Sequence, residues 1–153
     1  MADPSIIEKI KHYCAYQERS QWEVRNKLIE LHVYGLDLEN VVVDLISENY
    51  LNEERFARQL ARGKFNLKQW GKAKIKQALK QHQVSDYCIK AGLSEIDDTD
   101  YLRTLHKLAE QKWDSLNRKK NRFVKMTKTR NFLLQRGFES ELIADWLNDK
   151  TRS

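Results

Sequence analysis

Two cysteines, one proline and five glycines among 153 residues leave this sequence short of the residues that staple, break or kink a chain. Cys14 and Cys88 stand alone without a C-x-x-C pair, and His12, His32, His82 and His106 are too scattered for ligand spacing, which argues against a disulfide framework and against a metal site. With Pro4 the single proline, no later helix need be interrupted. An apolar run of about 18 residues is missing, so no membrane partner is expected. The start MADPSIIEK has neither a basic n-region nor an apolar h-region, and a soluble, cytoplasmic protein is expected. There is no G-x-x-x-x-G-K-[ST] loop, no H-E-x-x-H and no G-x-S-x-G. The expectation is therefore a protein that is not an enzyme and uses no cofactor.

What the sequence does have is segregated charge. The formal net charge is +6, but residues 50–84 carry nine Lys/Arg against two acids, and residues 116–138 carry eight Lys/Arg and no acid. Acidic stretches alternate with them, 37–49 before the first block and 85–115 between the two. Blocks of this kind point to a polyanionic partner, nucleic acid or a nucleoprotein.

Period-2 alternation is absent and apolar residues recur at helical spacing, which predicts an all-α fold. Ile6, Ile7, Ile10, Tyr13 and Cys14 form a first amphipathic helix. Ser20, with Glu23 three places on, forms a capping box for a second helix that Gly35 is expected to stop. A third, beginning near Asp37, is expected to bury Val41, Val42, Leu45 and Ile46. Asn52 then caps a helix from about Glu53 to Phe65 with a Phe56, Ala57, Leu60, Ala61 strip, and after Asn66 to Trp70 the next helix opens at Gly71. Later, Tyr101, Leu102, Leu105, Leu108, Ala109 and Trp113 form one stripe, and Phe123, Met126, Phe132 and Leu133 another expected buried side.

The chain also repeats. Leu31–Asp37, Leu79–Ser85 and Leu133–Glu139 align at offsets of 48 and 54, with Leu36, Val84 and Phe138 expected to dock into the core after each turn. Val41, Ile89 and Ile143 then coincide, as do Leu45, Leu93 and Leu147. The reading is a single domain over residues 1–153 made of three tandem three-helix repeats, about 5–49, 50–96 and 97–149, packed serially into an elongated, curved module. A helix-turn-helix base reader would have one recognition helix and one such turn, whereas here the turn recurs.

Candidate binding residues follow from the two basic blocks. Lys72, Lys76 and Lys80 share one helical side, Arg55, Arg58 and Arg62 form a row on the preceding helix, and Lys68 and Trp70 lie between them. Trp70 has the means to stack on a base or to plug a helix entrance, and Arg55 to pair with Glu54 or a carboxylate of the first repeat. In the second block Arg118, Lys119, Lys120 and Arg122 precede or begin a helix, where basic charge opposes the helix dipole and so calls for an anionic partner; Lys128 and Arg130 extend it.

Tyr50-Leu51-Asn52-Glu53-Glu54-Arg55-Phe56-Ala57-Arg58, followed by Trp70-Gly71-x-x-Lys74-Ile75-x-x-x-Leu79, resembles the most characteristic segment of the RecX regulatory family. Arg19-Ser20-x-x-Glu23-Val24-x-x-Lys27-Leu28 and Arg130-x-Phe132-Leu133-x-x-Arg136-Gly137-Phe138 are similar to its first and last patterns. Lys72 stands where that family often has proline, and Gln83 where glycine is usual. The resemblance implies a non-enzymatic, monomeric regulator that lies in the groove of the RecA recombinase filament, limits its extension and damps ATP hydrolysis, strand exchange and co-protease activity. Its contact with single-stranded DNA would be direct or through the filament. The alternative from the residues alone is a general single-stranded DNA- or RNA-binding helical module acting without a recombinase.

Overall fold

The computed structural model describes residues 2–118 and 120–152. Among them the chain forms nine α-helices and no strand: α1 (Pro4–Tyr16), α2 (Gln21–Glu30), α3 (Gly35–Ser47), α4 (Glu53–Lys68), α5 (Lys72–Gln81), α6 (Asp86–Leu93), α7 (Asp98–Ser115), α8 (Arg122–Gln135) and α9 (Ser140–Arg152). No helix among the described residues is long and apolar enough to cross a membrane.

Several helix starts are set by side chains read from the sequence. Ser20 Oγ accepts from the Glu23 N–H at 3.0 Å while Glu23 Oε1 accepts from the Ser20 N–H at 3.0 Å, a complete capping box. Asn52 Oδ1 accepts from the Arg55 N–H and Asn121 Oδ1 from the Val124 N–H, at 2.9 and 2.8 Å. The helix α4 runs one turn beyond the expected Phe65, to Lys68, and ends where Gln69 turns left-handed at φ 56°.

The three-helix pattern is present, but its first copy is in a different register from the one expected. After α5 the Val84 N–H donates to the Leu79 carbonyl across left-handed Gln83, and after α8 the Phe138 N–H donates to Leu133 across left-handed Gly137. The matching bond after α2 runs from the Val33 N–H to Leu28, across His32 at φ 64°. Leu28, Leu79 and Leu133 are therefore the equivalent positions, each fully buried. Val33, Val84 and Phe138 are the docking residues, followed by Leu38, Ile89 and Ile143, all buried. Leu36, expected to dock, is 76% exposed, and Gly35 opens α3 instead of stopping α2. The slip has a simple cause. Three residues are nearly one helical turn, so Leu31 and Gly35 imitate the pattern of Leu28 and His32.

The chain divides into two compact units. Unit 1 comprises Met1–Leu60 and Ala78–Leu93, and its core gathers Ile10, Val24, Leu28, Val42, Leu45 and Leu51. Within it the α6 backbone at Gly92 runs so close to α4 that a Cβ there would lie 2.7 Å from the Ala57 carbonyl oxygen. Ile46, expected inside, is 44% exposed. Unit 2 comprises Ala61–Gln77 and Ser94–Ser153, with Leu105, Ala109, Leu133, Ile143 and Leu147 at its centre. There the Gly71 N–H donates to the Arg136 carbonyl at 2.7 Å and the Ala73 N–H to Gly137 at 3.0 Å. A Cβ on Gly71 would overlap the Gly137 carbonyl, so these two backbones meet only because both residues are glycine.

Candidate nucleic-acid and partner interface

In unit 1 the candidate arginines are occupied. Arg55 Nε donates to Glu18 at 2.5 Å, and its two terminal nitrogens donate to the Asn49 side chain and carbonyl at 3.1 Å each. Arg58 pairs with Glu54 at 3.3 Å. Arg55 thus ties α4 to neighbouring segments of the same unit, while the Arg58 pair lies within α4. Three other unit 1 cations lie over tyrosine rings, and each also has a carboxylate: Lys11 over Tyr50 with Glu48, Arg19 over Tyr13 with Glu23, and Lys27 over Tyr13 with Glu30.

One grouping in unit 1 resembles a nucleophile triad. Ser20 Oγ lies 3.0 Å from His82 Nδ1, and Glu23 Oε1 lies 3.7 Å from the same nitrogen. A triad places the nucleophile and the acid on opposite ring nitrogens, whereas here both face Nδ1 and Ser20 is fully buried as a helix cap. The His82 ring packs instead between Phe56 and Trp22, with centroids 4.9 and 5.5 Å away. Burial pushes the Cys14 thiol up to about 11, which keeps it protonated and unreactive at neutral pH. Among the described residues no group of three or more His, Cys, Asp or Glu is placed to hold a metal ion.

Unit 2 is built differently. Tyr101 on α7 is its polar hub: the hydroxyl accepts from the Lys72 N–H at 2.9 Å and donates to the Glu139 carboxylate. Burial, then the Glu139 hydrogen bond, raises its pKa well above the usual tyrosine value. Lys72 is held here too, over the Tyr101 ring at 4.8 Å and 3.6 Å from Asp98. Arg62 pairs with Glu95 at 3.2 Å.

Five further unit 2 cations lie over rings and have no carboxylate partner among the described residues. Lys64 and Lys74 place Nζ 4.8 and 4.3 Å from the centroid of the Trp70 ring. Lys112 and Arg136 both lie 5.2 Å from Phe132, and Lys125 lies 4.6 Å from Trp113. Lys112 and Trp113 belong to α7, Lys125 and Phe132 to α8, so each helix lends a lysine to a ring on the other. Lys128, through its side chain and its charge, then desolvation and, least of all, Lys112 hold Lys120 below the ordinary lysine pKa. Trp70, Lys68, Lys74, Phe132, Gln135 and Arg136 line an open depression of about 520 Å³.

Of the candidate residues, Trp70 is one of these rings and Lys68 lines the depression beside it, while Lys128 shares the α8 side of Lys125 and Phe132. Lys76 and Lys80 are exposed, with no carboxylate partner among the described residues. Arg118 is exposed, Arg130 is half-buried, and Arg122 donates to the Thr151 carbonyl at 3.0 Å. Lys119 lies outside the described residues. Phe123, expected on the buried side of α8, is 75% exposed. Lys64, Lys74, Lys112, Lys125 and Arg136 were not among the sequence candidates. For Lys125 and Arg136 the one signal is the i, i+3, i+7, i+11 spacing of Lys125, Lys128, Phe132 and Arg136 in a stretch without acids; Lys64, Lys74 and Lys112 have no such signal.

Comparison with known proteins fits this helical pattern. Residues 52–93 match the second three-helix domain of RecX, and residues 98–147 match the third. The chain belongs to the RecX family. Regulatory protein RecX of Clostridium perfringens strain 13 is 32% identical over 122 residues, covering 79% of this chain and 57% of that protein. RecX of Lactobacillus johnsonii is 28% identical over 152 residues, covering 96% of this chain and 55% of its own length. The chain thus spans about half the length of these curated relatives, although it covers 87% of RecX from Prosthecochloris aestuarii at 29% identity. The crystal structure of RecX from Lactobacillus salivarius aligns with a TM-score of 0.85 at 23% identity, covering 94% of this chain and 92% of that one, and shows the shared fold.

Both departures from the RecX pattern acquire a physical meaning. Gln83 is left-handed at φ 58°, a conformation glycine adopts without strain. Lys72 uses its backbone N–H to reach Tyr101, a bond that proline has no N–H to make.

Proposed function

We propose that this protein is a non-enzymatic regulator that binds the RecA–DNA filament and lowers the activities of the recombinase. Membership of the RecX family supports the regulatory role, and the names of its relatives, each a regulatory protein, support it further. The observation that carries the reading is the group of unit 2 cations resting on rings without carboxylates. A ring holds an ammonium in place without cancelling its charge, so this surface stays cationic and suits an anionic filament. A regulator of this kind works by differential affinity, favouring one filament state over another. The three-helix repeats, residues 1–153 as one RecX-like chain, carry such contacts, and the protein acts as a monomer in the cytoplasm.

The test is RecA ATPase activity on single-stranded DNA with this protein titrated in and DNA held in excess. Activity should fall in proportion to occupancy, with no ATP hydrolysis by the protein alone. Unchanged ATPase activity at saturating protein would overturn the reading.

A further inference from the structure

Within unit 2 the ring-held cations line up. Lys125, Lys128, Phe132 and Arg136 recur at i, i+3, i+7 and i+11 on one side of α8, over about 16 Å of helix. At the C-terminal end of that row Arg136 and Phe132 share a depression with Trp70, Lys68 and Lys74. Along its middle Lys112 of α7 stands over Phe132, and toward its start Lys125 stands over Trp113. The row runs Trp70, Arg136, Phe132, then the three lysines Lys112, Lys128 and Lys125, and ends at Trp113. All three rings are half-buried, with part of each accessible to solvent.

We infer that this row is a track for a single strand of nucleic acid, phosphates lying on the lysines and Arg136 and bases against the partly exposed rings of Trp70, Phe132 and Trp113. This deepens the regulatory reading, resting on it only in taking the filament's single strand as the ligand. The rings favour nucleic acid over an acidic protein surface. Carboxylates on a protein would be served by cations alone, as the Arg55–Glu18 and Arg25–Glu39 pairs of unit 1 are. A strand with a charge at every step and a flat, polarisable face beside it uses both the cations and the rings.

The experiment removes equal charge at two places. Lys112→Gln/Lys128→Gln takes two cations from the track, and Lys76→Gln/Lys80→Gln takes two exposed cations from α5. Binding of each protein to a fluorescent oligothymidylate is followed by anisotropy from low to high salt, with far-UV CD melts run alongside. The parent should bind with strong salt dependence. The track variant should lose about 25-fold in affinity near 0.1 M salt and reduce the magnitude of the log–log salt slope by about 1.4, the value for two single-strand phosphates. The α5 variant should lose less than about twofold, and the parent's tryptophan fluorescence should be quenched on binding. Phe132→Leu, which keeps every charge, should weaken binding without changing the slope. Equal losses in the two double variants would overturn the track, as would displacement of the oligomer by polyglutamate as readily as by unlabelled oligothymidylate at matched charge. If the parent ignores naked oligothymidylate yet lowers RecA ATPase activity, this inference falls while the functional reading stands. If it binds the oligomer but leaves the ATPase unchanged, the functional reading falls and the track remains.

Discussion

The two units of the protein hold their cations by different means. In unit 1 each cation seated on a ring has a carboxylate as well, and Arg55 and Arg58 are paired with Glu18 and Glu54. In unit 2 some margins are paired in the same way, at Arg62–Glu95 and Lys150–Glu110, but Lys64, Lys74, Lys112, Lys125 and Arg136 lie over rings with no carboxylate partner among the described residues, Arg136 also donating to the Lys68 carbonyl at 3.0 Å. An ion pair within the chain neutralises the field that a partner would feel; a ring beneath an ammonium does not. Counting Lys and Arg therefore overstates unit 1 as a binding surface and understates unit 2.

The strongest test of the shared architecture beneath this contrast lies in the core. Leu28→Ala in unit 1 and Leu133→Ala in unit 2 should each cost about 2–5 kcal/mol in denaturant melts, since both side chains are fully buried. Leu36→Ala, on a side chain 76% exposed, should stay within about 0.5 kcal/mol. Losses of equal size at Leu28 and Leu36 would contradict the register described above. Next in size, Gly71→Ala should destabilise unit 2 by about 1–3 kcal/mol or more, because the new methyl meets the Gly137 backbone. The comparison is Gly35→Ala in unit 1, where nothing lies within 4 Å and only the left-handed φ of +57° is strained, at about 1 kcal/mol.

Tyr101→Phe should cost about 1–3 kcal/mol by stranding the Lys72 N–H and the Glu139 carboxylate. It also carries a pH signature. The folded pKa of Tyr101 lies above the unfolded value of 10.0, so its contribution is complete below pH 10 and is lost as the pH rises beyond it, where only the unfolded chain releases the proton. Thermal melts from pH 9 to 11 should show a shallower alkaline loss of stability in the Phe variant than in the parent. Smallest of all, Arg55→Gln should lower stability by about 1 kcal/mol through its Glu18 and Asn49 contacts, whereas Lys128→Gln should leave the melt unchanged and act only on binding. A reversal of those two results would erase the distinction between the units.

Local capping was legible in the sequence because it depends on side chains a few residues apart: Ser20 with Glu23 and Asn52 with Arg55 behave as read. The repeat in α5 and α8 was legible too, since Leu79 and Leu133 are core leucines followed by left-handed residues. The first copy was not, because His32 carries no sign of left-handed backbone while nearby Gly35 does. Phe123 was misread for a related reason: helical spacing gives a face but not what covers it, and nothing buries this ring. The candidate site was the least legible part. Lys64 and Arg55 look alike on the page, and only the fold decides that one meets Trp70 and the other Glu18.

Unit 2 is interrupted in sequence, since residues 61–77 belong to it and residues 78–93 do not. Gly71 finds its hydrogen-bond acceptor at residue 136, far downstream. At about 5–20 residues per second of translation, the 60 residues between 77 and 137 take roughly 3–12 s to emerge. During that interval the first part of unit 2 stands on the nascent chain without its complement, and Phe65 lacks the Tyr101 ring it later packs against for part of that wait. Lys64, Lys68, Lys72, Lys74 and Lys76 give the same stretch of chain a run of like charge with no acid. That like charge, part of which the mature protein offers to a polyanion at Lys64 and Lys74, also repels neighbouring unfinished chains while the protein is being made.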